Sequence, residues 1–108
     1  MKPSYYAIIP ADVRYSNLKP NAKLLYGEIT ALSSKEGYCF ATNNYFAKLY
    51  DVTKNTISLW VSQLNQEGFI TVKLIKKGEQ ITERRIGITK IDDRANIKND
   101  DLSSIKIN

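Results

Sequence analysis

The stretch DVTKNTISLWVSQLNQEGFI, residues 51–70, confines the fold more than any other part of the chain. Thr53 can cap a helix start, Ile57, Trp60, Val61 and Leu64 recur at helical spacing, and Gly68 can end the helix in a left-handed conformation. The spacing predicts a helix over 54–67 with one apolar stripe, and such a stripe must be covered by a neighbour. Just before it, TNNYFAKLY offers Thr42 or Asn43 as a cap and Phe46, Leu49 and Tyr50 as an apolar face, with Ala47 small enough for close helix approach. At about two turns, that helix is too short to persist without support. Two helices joined by a tight turn at Asp51 and Val52 make a helix-turn-helix, although the same spacing fits any helical hairpin.

The flanking segments narrow the choice. Upstream, PNAKLLYGEITALSS places Leu24, Leu25, Ile29 and Leu32 at helical spacing behind Pro20, which predicts a helix over 20–34. Glu28, at the edge of that stripe, reads as a structural ion pair or a solvated edge rather than a catalytic group. Downstream, FITVKLIKKGEQITERRIGITK alternates as two strands, 69–75 and 81–89, about a KKGEQ turn. Ile70, Val72 and Leu74 share one face, with Ile86 and Ile88 as inward partners on the return strand. A helix-turn-helix followed by a β-hairpin gives the expected architecture: an α+β winged helix-turn-helix, with a three-helix core and a C-terminal β-hairpin wing. Residues 1–19, punctuated by Pro3 and Pro10, read as an extended arm or short turn covering the core, and GYCFAT as a small strand or extended connection with Cys39 packed inside. The expected domain is 1–91, and 92–108 is a polar tail or linker, with a disordered tail and a short partner-binding helix as open alternatives.

Composition removes several function classes. The 108 residues suffice for one domain. With no histidine, a His-containing metal site and a His-based triad are excluded, and the single cysteine, Cys39, cannot form an internal disulfide. No paired carboxylates or phosphate-cradling glycine loop stands out, so the expectation is a protein that is not an enzyme and uses no metal or cofactor. No apolar run approaches the roughly 20 residues of a membrane helix, and the chain reads as cytosolic.

Charge points toward a polyanionic partner. The net charge is +5, and residues 69–91, with six basic side chains against Glu79 and Glu83, contribute +4 of it. On the helix over 54–67, the face opposite the stripe carries Asn55, Leu59, Ser62 and Gln66, flanked by Ser58 and by Lys54 in the first turn, with no carboxylate before Glu67. A face meant for phosphates and base edges avoids negative charge. The candidate DNA contacts are therefore Thr53, Lys54, Asn55, Thr56, Ser58, Leu59 and Ser62 on the helix, and Lys76, Lys77, Arg84 and Arg85 at a flexible hairpin tip that could straddle the backbone. By chemistry, Thr53 and Lys54 would meet phosphate, Asn55 an adenine, Leu59 a thymine methyl, and Ser58 and Ser62 bases or phosphates. Lysines and arginines also blunt exposed strand edges, an alternative reading of the hairpin charge.

YYAIIPADVRYSNLKPNAKLLYGEITALS followed by FATNNYFAKLYDVTKNTISLWVSQLNQEGFI resembles the N-terminal winged-helix domains of phage and plasmid replication initiators, or replisome organisers, of low-GC Gram-positive bacteria. The resemblance spans about residues 5–90 and is most specific in AKLLYGEI and NTISLWVSQLNQEGFI. It implies binding of double-stranded DNA at a replication origin or a related regulatory role, with Lys54, Asn55, Thr56, Ser58 and Ser62 at the positions of the family's recognition helix, and a homodimer or a replication-machinery protein as a further partner. The family commonly has Gly where this chain has Asp51, and its full-length members usually carry a C-terminal domain for helicase loading or oligomerisation. Two other readings use the same fold: a transcriptional repressor, for which the sequence offers no heptad or long dimer helix, and a winged helix that grips a host protein through an apolar patch.

Overall fold

The computed structural model describes residues 6–90. Four helices, α1 (Ala11–Arg14), α2 (Pro20–Leu32), α3 (Asn43–Tyr50) and α4 (Lys54–Gln66), precede an antiparallel hairpin of β1 (Ile70–Lys77) and β2 (Gln80–Ile88). This is the winged helix-turn-helix that the alternating patterns require, with one added turn of helix in the N-terminal arm. The tail over 92–108 and the first residues of the arm lie outside the described residues.

The core forms where the apolar stripes meet. Ile57, Trp60, Val61 and Leu64 of α4 are buried with Leu25, Tyr26 and Ile29 of α2 and Phe46 of α3. Each large apolar side chain taken out of water contributes roughly 1.5–3 kcal/mol, more than any capping bond. Ala47 is also buried, as a small residue at a helix contact should be. Three leucines placed on core stripes by periodicity are instead largely exposed. Leu24 is exposed although α2 buries residues around most of its circumference, Ala22, Leu25, Tyr26, Gly27, Ile29, Ala31 and Leu32, and Leu49 lies outside the Phe46–Ala47 face of α3. Leu74 shares its face with Ile70 and Val72 as expected, but at that point the hairpin has passed the end of the helical core.

Both boundaries of α4 follow from local chemistry. Thr53 Oγ1 accepts the Thr56 N–H at 3.1 Å, closing the helix start. At the other end Gly68 takes φ 81°, Phe69 N–H reaches Leu64 O at 3.0 Å and Gly68 N–H reaches Asn65 O at 3.1 Å, a Schellman closure with Phe69 and Leu64 both buried beneath it. The turn between α3 and α4 uses the same left-handed geometry with a different residue. Asp51 sits at φ 55°, ψ 51°, and Val52 N–H reaches back to Ala47 O at 3.0 Å.

The arm and the connection after α2 complete the layer. Ile9 and Ala7 cross α2 at Gly27, where an added Cβ would stand 3.0 Å from Ile9 Cγ1, and Ile8 N–H is held by Thr30 Oγ1 at 2.9 Å. The single turn of α1 then sinks Val13 into the core. Cys39 exchanges both backbone bonds with Ile86, at 2.8 and 2.7 Å, adding a one-residue third strand to the wing. Its side chain is fully buried, and burial pushes the thiol pKa up.

Two tests follow from this geometry. Asp51→Val should cost about 1–2 kcal/mol, since a β-branched residue is poorly accommodated at positive φ, whereas Asp51→Gly should cost nothing, because what glycine gives up in chain entropy it recovers in strain. Equal denaturant midpoints for the two variants would contradict the left-handed turn. Glu28 has neither a hydrogen bond nor an ion pair among the described residues, so of the two expectations, ion pair or solvated edge, the ion pair is not there, and partial burial raises its pKa above the ordinary 4.5. A raised folded pKa means a penalty that is absent below 4.5 and complete once the pH passes the folded value. Glu28→Gln should therefore raise the Tm at pH 7, with the gain shrinking as the pH is lowered toward 4.

Candidate nucleic-acid interface

Burial of the α4 stripe leaves the opposite side of the helix in solvent. Lys54, Asn55, Ser58, Leu59 and Ser62 are all exposed, and Asn65 and Gln66 extend the same polar side toward the C-terminal end. Leu59, 55% exposed, is the one large apolar side chain among them. Thr53 and Thr56 are turned toward each other, with their hydroxyls 3.0 Å apart, so the cap occupies part of their bonding capacity. The backbone N–H groups of Lys54 and Asn55 precede the first intrahelical bonds and point out of the helix start, where anionic oxygens are favoured. No carboxylate occurs between Lys54 and Gln66.

The wing divides the basic residues that the sequence groups together. Lys76 and Lys77 flank the Gly78–Glu79 turn and are exposed, and Gly78, at φ 66°, is the positive-φ residue that such a two-residue turn needs. Arg84 and Arg85 are not at the tip. They pair with Leu74 and Lys73 in the middle of the hairpin, below a bulge between Ile75 and Lys76. Both are engaged within the protein. Arg84 projects to the core side, where it donates from Nη1 to Asn43 Oδ1 at 2.7 Å and from Nη2 to Ala41 O at 2.8 Å. Arg85 projects to the other face, donates to Glu83 at 2.7 Å and lies 4.6 Å from the centre of the Tyr38 ring.

Arg84 is best described as a latch between the wing and the helix-turn-helix. Its fork joins β2 to the first residue of α3 and to the loop before it. Burial lowers its pKa from the ordinary arginine value, and its Nε is buried without a partner, so part of what the two bonds gain is lost to desolvation. Asn43, predicted only as a possible cap, acts here as an acceptor, while Thr42 performs the capping by accepting the Tyr45 N–H at 3.1 Å. Lys73, an exposed wing lysine, lies on the outer face with Arg85 and was not singled out by sequence.

A four-helix core, a recognition-type helix with an exposed carboxylate-free face and a lysine-tipped hairpin define a winged helix-turn-helix DNA-binding domain. In agreement, a family model described as a helix-turn-helix domain matches residues 16–70, and the chain belongs to that family. The match runs from just before α2 to the first residue of β1, so the wing is added by the structure. Neither the curated proteins nor the solved structures searched give a match. No described helix is long and apolar enough to cross a membrane, and among the described residues no cluster of three or more potential metal ligands occurs.

If Arg84 is a latch, Arg84→Ala should lower stability by about 1.5–3 kcal/mol, the range for hydrogen bonds to a charged group, and Arg84→Lys should recover only part of it. Arg85→Ala, which removes an exposed pair, should leave the denaturant midpoint close to that of the parent chain. Equal losses for the two alanine variants would argue against the latch.

Proposed function

We propose that the protein binds double-stranded DNA with α4 in the major groove and the wing lysines on the adjacent backbone, as the origin-binding domain of a phage or plasmid replication initiator. The observation that carries the reading is the outer face of α4: Lys54, Asn55, Ser58, Leu59 and Ser62 stand free on a helix whose opposite stripe is locked in the core. Its first turn presents unpaired N–H groups and Lys54 to phosphate, and the side chains beyond can reach base edges. Lys76 and Lys77 supply affinity that does not depend on sequence. The initiator role is supported by the resemblance in AKLLYGEI and NTISLWVSQLNQEGFI, in which Leu25, Tyr26, Ile57, Trp60, Val61 and Leu64 build the core while Asn55, Ser58, Ser62, Asn65 and Gln66 face outward. The domain acts by binding and positioning rather than by catalysis.

Duplex binding at two salt concentrations, with random and origin-derived DNA, tests this. Replacing Lys76 and Lys77 with Ala should weaken binding to every duplex alike and reduce the slope of log affinity against log salt by roughly 0.9 for each lysine that meets a phosphate. An unchanged slope together with the loss of one sequence preference would refute the backbone role. Preference for an origin fragment over random duplex supports the initiator role, and its absence refutes it.

A further inference from the structure

We infer that the recognition helix is built to read A·T base pairs, through adenine-directed amides and a thymine-directed leucine, with no arginine on the helix to read guanine. The inference rests on the duplex-binding reading and deepens it by naming the class of target.

The first observation is where the arginines are. The three described arginines lie off α4 and make contacts within the protein: Arg14 donates to Ile9 O at 3.1 Å and lies 5.0 Å from the Tyr15 ring centre, Arg84 is forked onto Asn43 and Ala41, and Arg85 donates from Nε to Glu83 over Tyr38. Guanine presents two acceptors, O6 and N7, on its major-groove edge, and the side chain that satisfies both is a cation with several donors, most often arginine. No arginine lies on α4. Its single cation, Lys54, is in the first turn, beside the N–H groups that favour phosphate.

The second observation is what occupies the outward line in their place. Asn55, Leu59, Ser62 and Gln66 fall within a narrow arc opposite the buried stripe, along about 16 Å of helix. A primary amide has one acceptor and one donor group side by side, which matches N6–H and N7 of adenine and cannot satisfy the two acceptors of guanine at once. Leu59 stands between Asn55 and Ser62. Seated on a thymine C5-methyl it would leave water for an apolar surface, but over the cytosine amino group or guanine O6 it would desolvate a polar edge and offer no bond in return. Ser62 bonds to either class of pair and does not discriminate. The amides and the leucine thus favour the same pairs, and nothing on the outward line opposes them.

Selection of binding sites from a randomised duplex library by the full chain tests this, after binding at low salt has been measured. The expected result is a motif with A·T pairs under the helix, in which deoxyuridine in place of thymidine, deleting only the methyl group, weakens binding about fourfold for each methyl covered. Leu59→Ala should abolish the difference between the two duplexes and leave the salt slope intact, and Asn55→Ala should relax preference at one pair by roughly five- to hundredfold. Duplex binding with a G·C motif under the helix, or with no response to methyl deletion, would overturn the inference and leave the DNA-binding reading standing. A lack of any duplex binding at low salt would overturn that reading and this inference with it.

Discussion

Burial of Ile57, Trp60, Val61 and Leu64 is the constraint on which the other features depend. A helix of thirteen residues with one such stripe has one rotation about its own axis that places all four against α2 and α3, and this rotation fixes the outward side. Asn55, Leu59, Ser62 and Gln66 face solvent because the stripe cannot, not through any preference of their own. The closures at Thr53 and Gly68 are each worth about 1 kcal/mol and would not orient the helix alone. They set where it begins and ends, and the Gly68 closure delivers Phe69 to the core so that β1 leaves in register with Ile70 inward.

The wing is attached at two levels. Near its base Ile70, Ile86 and the Cys39 bridge bury it against the helices. Farther out, where Leu74 has already left the core, Arg84 takes over with a polar contact to Asn43 at the start of α3. Above Arg84 the bulge at Ile75 and Lys76 changes the local twist, and the Lys76 and Lys77 side chains make no hydrogen bond or ion pair among the described residues. The hairpin is therefore tied to the helices up to its middle, while beyond that only the pairing of its own strands holds it, an arrangement suited to following a backbone whose path varies with sequence.

Much of this was legible in the residues. Periodicity located α2, α3 and α4 within a residue or two, and alternation located the hairpin and put Ile70, Val72, Ile86 and Ile88 on one face. Periodicity does not say which positions a neighbour covers, so Leu24 and Leu49 were assigned to the core although both are exposed. Alternation likewise continues past the point where the core ends, which is how Leu74 was misplaced. The one-turn α1 lies within a proline-punctuated arm whose burial of Val13 depends on the close approach at Gly27, a contact between distant segments. The error on Arg84 has the same origin: its acceptors, Asn43 and the Ala41 carbonyl, are about forty residues away, and no local pattern reveals them. Asp51, in contrast, was recognisable as a left-handed position because the family it resembles commonly has Gly there, and the structure places it at φ 55°.

The engagement of the arginines alters how net charge should be read. The wing segment carries most of the +5, but Arg84 donates into the protein and Arg85 pairs with Glu83, which leaves Lys73, Lys76 and Lys77 as the hairpin cations with no ion pair among the described residues. Lysine is a hydrated point charge on a flexible stem, well suited to meeting phosphate without choosing a base, whereas arginine's planar fork is the more selective group. In the proposed duplex complex, attraction would come from cations without a fixed geometry on the hairpin and from Lys54 at the start of α4, and discrimination from neutral side chains of fixed geometry along the rest of that helix. Salt acts strongly on the first and weakly on the second, so raising ionic strength would remove non-specific binding sooner than it removes preference among sites. A helix that bound through its own cations could not separate the two in this way.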